Sequence, residues 1–197
     1  MPPLYIGVLG STRGTCLESI IIAIETGNLN ATIEIVVSNK VDAPILERAR
    51  RHGIEAHFLD PVGQTREEFD AKITRLLQDK KVDLIILIGY MRLLSPSFVA
   101  RWKNKIMNIH PSLLPAFAGG MDLNVHRAVL ASGTKETGCT IHFVDEGVDT
   151  GKIIVQNKCS VMDSDTPETL KSRVQALEGA AFIEAIKWFQ SKQNANL

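Results

Sequence analysis

Leu84-Ile85-Ile86-Leu87-Ile88 is five apolar residues without a polar interruption, and how that run is read decides the fold. It is too short for a helix. A strand with one wet face would alternate apolar and polar residues, so an unbroken run marks a strand covered on both sides, as in the centre of a parallel sheet. Upstream, Leu4-Tyr5-Ile6-Gly7-Val8-Leu9 reads as a first strand. A helical pattern follows, with Leu17, Ile20, Ile21 and Ile24 on one side and a stop at Gly27. Ile33-Glu34-Ile35-Val36-Val37 is the second strand and Ala43 to His52 the second helix. A short strand lies around Ala56 to Leu59, and a third helix from Thr65 to Lys80 turns Phe69, Ile73, Leu76 and Leu77 inward.

Downstream, Ile106 to Ile109 is expected as a strand stopped by Pro111, which has no backbone donor. A long loop from Ala116 to Asn124 precedes a helix around Val125 to Ser132. Thr140-Ile141-His142-Phe143-Val144 and Ile153-Ile154-Val155-Gln156 follow as strands. Thr166-Pro167-Glu168 opens a final helix running to about Gln190, with a break expected near Gly179. Strands alternating with helices argue for an α/β fold: an open, mostly parallel, Rossmann-like sheet with helices on both faces. Residues 1–197 are expected as a single domain, since 197 residues at 45% hydrophobic content suffice for one core.

Composition narrows the function classes. Twenty-two acidic and 22 basic residues cancel and are mixed along the chain, so the basic stripe of a nucleic-acid binder and the polybasic anchor of a membrane protein are not expected, while a localised anion site is. Three widely spaced cysteines, Cys16, Cys139 and Cys159, give neither a disulfide framework nor a zinc pattern, and the expected location is the reduced cytoplasm. Met1-Pro2-Pro3-Leu4 reads as neither a signal peptide nor a membrane span, no repeat of fixed period is present, and Gln193 to Leu197 reads as a loose polar tail.

In such a sheet, ligands collect beyond the carboxyl ends of the strands. Three segments fall there: Gly10 to Cys16, Gly89 to Leu94, and Asn108 to Pro115. Asn108 and His110 lie two apart, so on a strand both side chains leave the same face. Together with Asp149 in Glu146-Gly147-Val148-Asp149-Thr150-Gly151, they offer an amide, an imidazole and a carboxylate. Amide and imidazolium can both donate to an oxyanion, and a carboxylate can hold the imidazole charged. The same pair on an apolar strand also reads as a satisfied core pair. Gly10-Ser11-Thr12-Arg13-Gly14-Thr15-Cys16 reads as a phosphate cradle, with the amides of Gly14, Thr15 and Cys16 leaving a helix N-terminus, or as a βα turn that needs glycine for geometry. No lysine follows Gly14, which argues against nucleoside triphosphate hydrolysis. Gly89 to Pro96 offers a backbone along which a flat heterocycle could lie, or a loop packing on the core. His52, His57 and His126 read as structural, whereas His142 precedes Asp149 closely enough to line the same crevice.

Asn108-Ile109-His110-Pro111-Ser112-Leu113-Leu114-Pro115 joined to Asp149 resembles the folate-dependent formyltransferases, and more closely those acting on glycinamide ribonucleotide in purine biosynthesis. Matching segments run through nearly the whole chain: Ser38-Asn39-Lys40, Thr65-Arg66-Glu67, Tyr90 to Pro96, Gly138 to Val144, and Arg173 to Glu178. The resemblance implies catalytic roles for Asn108, His110 and Asp149. It places 10-formyltetrahydrofolate, as co-substrate, against Arg66, Met91, Arg92, Leu93, Leu94 and the loop before Asp149, with Asn108 near the formyl group. It places the ribonucleotide on Gly14, Thr15, Cys16, Gln175 and Glu178. As a separate expectation, the N-terminal half is assigned phosphate and ribonucleotide binding and the C-terminal half folate binding and catalysis, although Arg66 and Met91 to Leu94 fall in the first half and Gln175 and Glu178 in the second. It implies no metal, no nucleic acid, no membrane, and a monomer or homodimer.

Two departures from the family stand out. Cys16 occupies a position that is commonly asparagine, with Arg13 available as a compensating cation, and residues 116–124 are longer than in some relatives. A deformylase that lets water attack, a methionyl-tRNA formyltransferase, and a non-catalytic folate or nucleotide sensor are the rival readings. The first two would call for an additional domain, and the third leaves a charged cluster idle in a crevice.

Overall fold

The computed structural model describes residues 2–194. Of the expected polar tail, Ala195 to Leu197 lie outside the described residues, while 193 and 194 belong to the last helix. The strands form a seven-stranded sheet in the order β3-β2-β1-β4-β5-β6-β7. Contacts gather the chain into two compact units, residues 1–108 and 109–197.

The first unit alternates strand and helix: β1 (Leu4–Gly10), α1 (Thr15–Glu25), β2 (Ala31–Ser38), α2 (Pro44–Arg51), β3 (Ala56–Phe58), α3 (Arg66–Asp79), β4 (Leu84–Ile88), α4 (Pro96–Arg101) and the start of β5 (Ile106–His110). Its pairings β1 with β2, β1 with β4, β2 with β3 and β4 with β5 are all parallel. Every residue of β4 is buried, which requires cover on both faces and bears out the reading of the apolar run. The order reverses between β1 and β4, so the loops leaving those two strands flank the switch point where open α/β sheets bind ligands.

Two local features depart from expectation. Leu76 is only half-buried, and Asp70 joins Phe69, Ile73 and Leu77 on the inward face of α3. The short α4 was not expected; Pro96 enters its first turn, and the Ser95 hydroxyl accepts the Phe98 amide at 3.3 Å.

The second unit carries the end of β5, α5 (Leu123–Ala131), an antiparallel pair β6 (Glu136–Phe143) and β7 (Ile153–Ser160), and α6 (Pro167–Asn194). Both β6 and β7 extend four residues beyond the apolar segments that announce them. β7 ends the sheet and its outer residues Asn157, Lys158 and Ser160 are polar, so backbone pairing rather than burial defines its length. The expected break at Gly179 is absent. A glycine costs a helix only about 1 kcal/mol relative to alanine. Leu170, Val174, Ala181, Phe182, Ala185 and Ile186 are all fully buried on α6, and packing of that face keeps the helix continuous.

Gly138 in β6 pairs with Lys158, and a Cβ there would stand 1.9 Å from the Asn157 carbonyl oxygen. That obstacle is backbone, which cannot rotate away. Gly138→Ala is therefore expected to cost about 2 kcal/mol or more of unfolding free energy by urea titration, as overpacking does; a change under about 0.5 kcal/mol, the range of a neutral surface substitution, would contradict this packing.

Candidate active site

β5 delivers His110 at its carboxyl end, after the buried Ile106 and Met107, and the imidazole is only 3% exposed. Its Nδ1 lies 3.1 Å from Asp149 Oδ2, and its Nε2 lies 3.0 Å from the carbonyl oxygen of Phe117. Both ring nitrogens face acceptors. Only an imidazolium donates at both; a neutral ring satisfies one.

Asp149 is the hub of the second unit's polar cluster. Oδ2 also accepts the Gly119 amide at 2.9 Å, and Oδ1 lies 3.5 Å from His142 Nε2. The other His142 nitrogen, Nδ1, is 2.9 Å from the Phe143 carbonyl. Burial pushes the Asp149 carboxyl up, but the hydrogen bonds from His110, His142 and the Gly119 amide together outweigh it and hold the group well below the usual carboxylate range.

The backbone is bent to make this possible. Asp149 has φ 56°, in the left-handed region that costs a non-glycine residue energy. The loop is held by Asp145, whose Oδ1 accepts the Gly147 amide at 3.1 Å and the Thr150 hydroxyl at 2.7 Å. Phe117 has φ 61°, and its ring packs on the cluster of Val125, Val129 and Leu170 while its carbonyl meets His110. Asp122 at the far end of the loop pairs with Lys171 of α6. Behind His110, the Thr140 hydroxyl donates to the Ser112 carbonyl at 2.6 Å and accepts from the Leu114 amide and Gln156 Nε2, so the turn after β5 is pinned to β6 and β7.

Among the other sequence candidates, Asn108 is half-buried on β5, two residues before His110, and is the last residue of the first unit. Gly14 is the left-handed N-cap of α1, with φ 61° and no side-chain cap, and Ile45 leaves no room for a Cβ there. Thr15 and Arg13 are exposed and Cys16 is buried. This loop meets the one after β4: the Ser11 amide donates to the Gly89 carbonyl at 3.1 Å, and the Met91 amide donates to the Ser11 hydroxyl at 2.9 Å. Met91 and Leu93 are exposed, Leu94 and Arg92 half-buried, and Arg66 stands exposed at the first turn of α3. Gln175 and Glu178 sit half-buried on α6, where desolvation pushes the Glu178 carboxyl up to about 7.

Within the second unit the fold thus gathers His110, Asp149 and His142, and within the first it joins the loops after β1 and β4. Sequence reasoning missed the Phe117 carbonyl and the Gly119 amide, which act through backbone and leave no side-chain signal. It also missed Asp70, whose signal was present: a charge beside Phe69 on an otherwise apolar helix face. No helix among the described residues is long and apolar enough to cross a membrane.

A mostly parallel α/β sheet with an imidazole held between a carboxylate and a carbonyl at a strand end has the parts that general acid–base chemistry uses. The chain belongs to the formyl transferase family, which matches residues 4–186. It is 43% identical over 185 residues to the phosphoribosylglycinamide formyltransferase of Haemophilus influenzae, covering 93% of this chain and 86% of that one. It is 45% identical over 183 residues to the trifunctional purine biosynthetic protein adenosine-3 of Gallus gallus, covering 92% of this chain but only 18% of that longer protein. The crystal structure of glycinamide ribonucleotide transformylase 1 from Symbiobacterium toebii superposes with a TM-score of 0.92 at 42% identity, covering 96% of this chain and 89% of that one.

The depressed carboxyl pKa fixes a sign. Stability contributed by ionised Asp149 is fully present above the unfolded-state value and is lost as pH falls through the folded-state value. The Asp149 side-chain carbon resonance is accordingly expected to hold its ionised position down to about pH 3, past the roughly 3.9 midpoint of a free aspartate. A midpoint at or above 4 would break the link to His110.

Proposed function

We propose that this chain transfers the formyl group of 10-formyltetrahydrofolate to the primary amine of glycinamide ribonucleotide, in de novo purine biosynthesis. The His110–Asp149 contact at 3.1 Å, buried at a strand end, is the observation that carries the reading. The 43% identity to a phosphoribosylglycinamide formyltransferase over most of both chains supports the choice of substrates. Residues 1–197 act as one formyltransferase module, which the family match over residues 4–186 supports, and the cytoplasm suits its three free thiols.

In this reading the amine attacks the formyl carbon and the carbonyl oxygen becomes an oxyanion. Asn108 and the Nε2 proton of His110 donate to it, the formyl oxygen taking the position the Phe117 carbonyl now holds. Collapse breaks the bond to folate N10, which receives a proton from His110. The attacking nitrogen must lose one proton, and its return to the imidazole, directly or through water, restores the starting state. Asp149 keeps the imidazole oriented and offsets its charge. Arg66 and the segment Met91 to Leu94 hold the folate. Gly14, Thr15 and Cys16, with Arg13 beside them, take the phosphate, and Gln175 and Glu178 the sugar end. A carboxyl with a pKa near 7 presents less negative charge to a phosphate than an ordinary glutamate would.

Following 10-formyltetrahydrofolate with and without glycinamide ribonucleotide tests this directly. Loss only in the presence of the amine supports transfer; loss without it means hydrolysis, and no loss means a binding protein. Asp149→Asn is expected to lower kcat roughly 10²- to 10³-fold with KM for both substrates nearly unchanged, as for an oriented acid–base residue.

A further inference from the structure

One buried anion in the first unit has no part in the chemistry above. Asp70, on the inward face of α3, is 2% exposed. Its Oδ2 accepts the Ser95 amide at 2.6 Å, short even for a charge-assisted bond, and Ser95 is itself fully buried and caps α4. The carboxylate therefore fixes the point where residues 89–95 leave the sheet and turn into α4. The residue before it, Phe69, carries the Arg92 guanidinium over its ring at 4.6 Å from the centroid. Adjacent α3 residues thus hold both ends of the Arg92-to-Ser95 stretch.

The charges around Asp70 are few. Burial pushes the Asp70 carboxyl up, opposed by the Ser95 hydrogen bond and then by the cations Arg92 and Arg66, and Tyr90 lies within electrostatic reach of both Asp70 and Arg92. Asp70 Oδ1, the Tyr90 hydroxyl and Arg92 Nε are buried atoms without a partner among the described residues. A buried charge is a poor way to stabilise a fold, since an apolar residue of similar size usually does as well or better. Its bond to the Ser95 amide, next in sequence to the Phe69 ring under Arg92, points to a task in orienting that segment.

We propose that Asp70 is a positioning residue for the formylfolate subsite, tying the 89–95 segment to α3 through Ser95 beside the Phe69 ring that carries Arg92. The inference rests on the proposed function for the identity of the ligand. The geometry of Asp70 does not.

Asp70→Asn keeps an acceptor for Ser95 but removes the charge that strengthens that bond. Its KM for 10-formyltetrahydrofolate is expected to rise roughly tenfold, with KM for the ribonucleotide within about twofold and kcat within about threefold of the parent, the pattern of a lost binding interaction confined to one substrate. The dissociation constant for 5-formyltetrahydrofolate, which undergoes no transfer, should rise by the same factor in calorimetry. Unchanged folate binding, or equal rises in both KM values, would overturn the proposal. If Asp70→Asn does not fold, Phe69→Leu serves: folate binding should weaken in the same direction, and unchanged binding would overturn the platform. A wild-type chain that makes no formyl-ribonucleotide, while Asp70→Asn still weakens 5-formyltetrahydrofolate binding, would sink the proposed function and leave the role of Asp70 standing.

Discussion

A carboxylate that has given up most of its water must be met by donors, and at Asp149 that requirement organises the second unit. With its side chain only 11% exposed, it draws His110 from the end of β5, His142 from β6 and the Gly119 amide from the loop between them. Each comes from a different stretch of chain, and each is held by its own support: the Thr140 hydroxyl behind the β5 turn, the Phe143 carbonyl at His142, and the packed ring of Phe117 near Gly119. The left-handed backbone at Asp149 and Phe117 is energy spent to bring these groups to one place. Removing one partner from a buried charge pair commonly costs 3–5 kcal/mol. The groups assigned to chemistry are therefore also structural members of this unit.

The first unit meets a different constraint. Parallel strands expose no side chains for a ligand in their interior, so binding falls to the loops beyond their carboxyl ends. After β1 and β4 those loops are joined by Ser11, whose hydroxyl accepts the Met91 amide and donates to Asn39 at 2.5 Å. Gly89, with φ 57°, lies so close to Thr12 that a Cβ would fall 2.3 Å from its hydroxyl. The loops after β1 and β4 are thus one hydrogen-bonded assembly.

Burial on two faces is what made β1, β2, β4 and β5 legible: apolar runs ended by Gly10, Ser38, Gly89 and Pro111 needed no further information. Where pairing replaced burial, legibility failed, as at the polar ends of β6 and β7. Gly179 misled because local propensity there is outweighed by the packing of α6. The site divides in the same way. His110, Asp149 and His142 could be read because their chemistry resides in side chains, and the resemblance supplied the distant pairing that spacing could not. Phe117 and Gly119 contribute a carbonyl and an amide that any residue carries. Asp70 was readable as a charge on the apolar side of α3, yet its purpose depends on Ser95 and Arg92, more than 20 residues away.

The contact between His110 Nε2 and the Phe117 carbonyl bears on how such a site discriminates between ground and transition states. A carbonyl oxygen carries partial charge, whereas the oxygen of a tetrahedral adduct carries a full one. An N–H already aimed at the first position needs no reorientation to meet the second, and the hydrogen bond strengthens as charge develops. Exchange of Phe117 for a formyl oxygen would be nearly neutral before attack, one acceptor replacing another, and favourable only once the adduct forms. Differential stabilisation of that kind raises kcat without tightening substrate binding. The carbonyl of a loop residue held at φ 61°, with its ring packed on Val125, Val129 and Leu170, thereby fixes the direction in which the imidazole points.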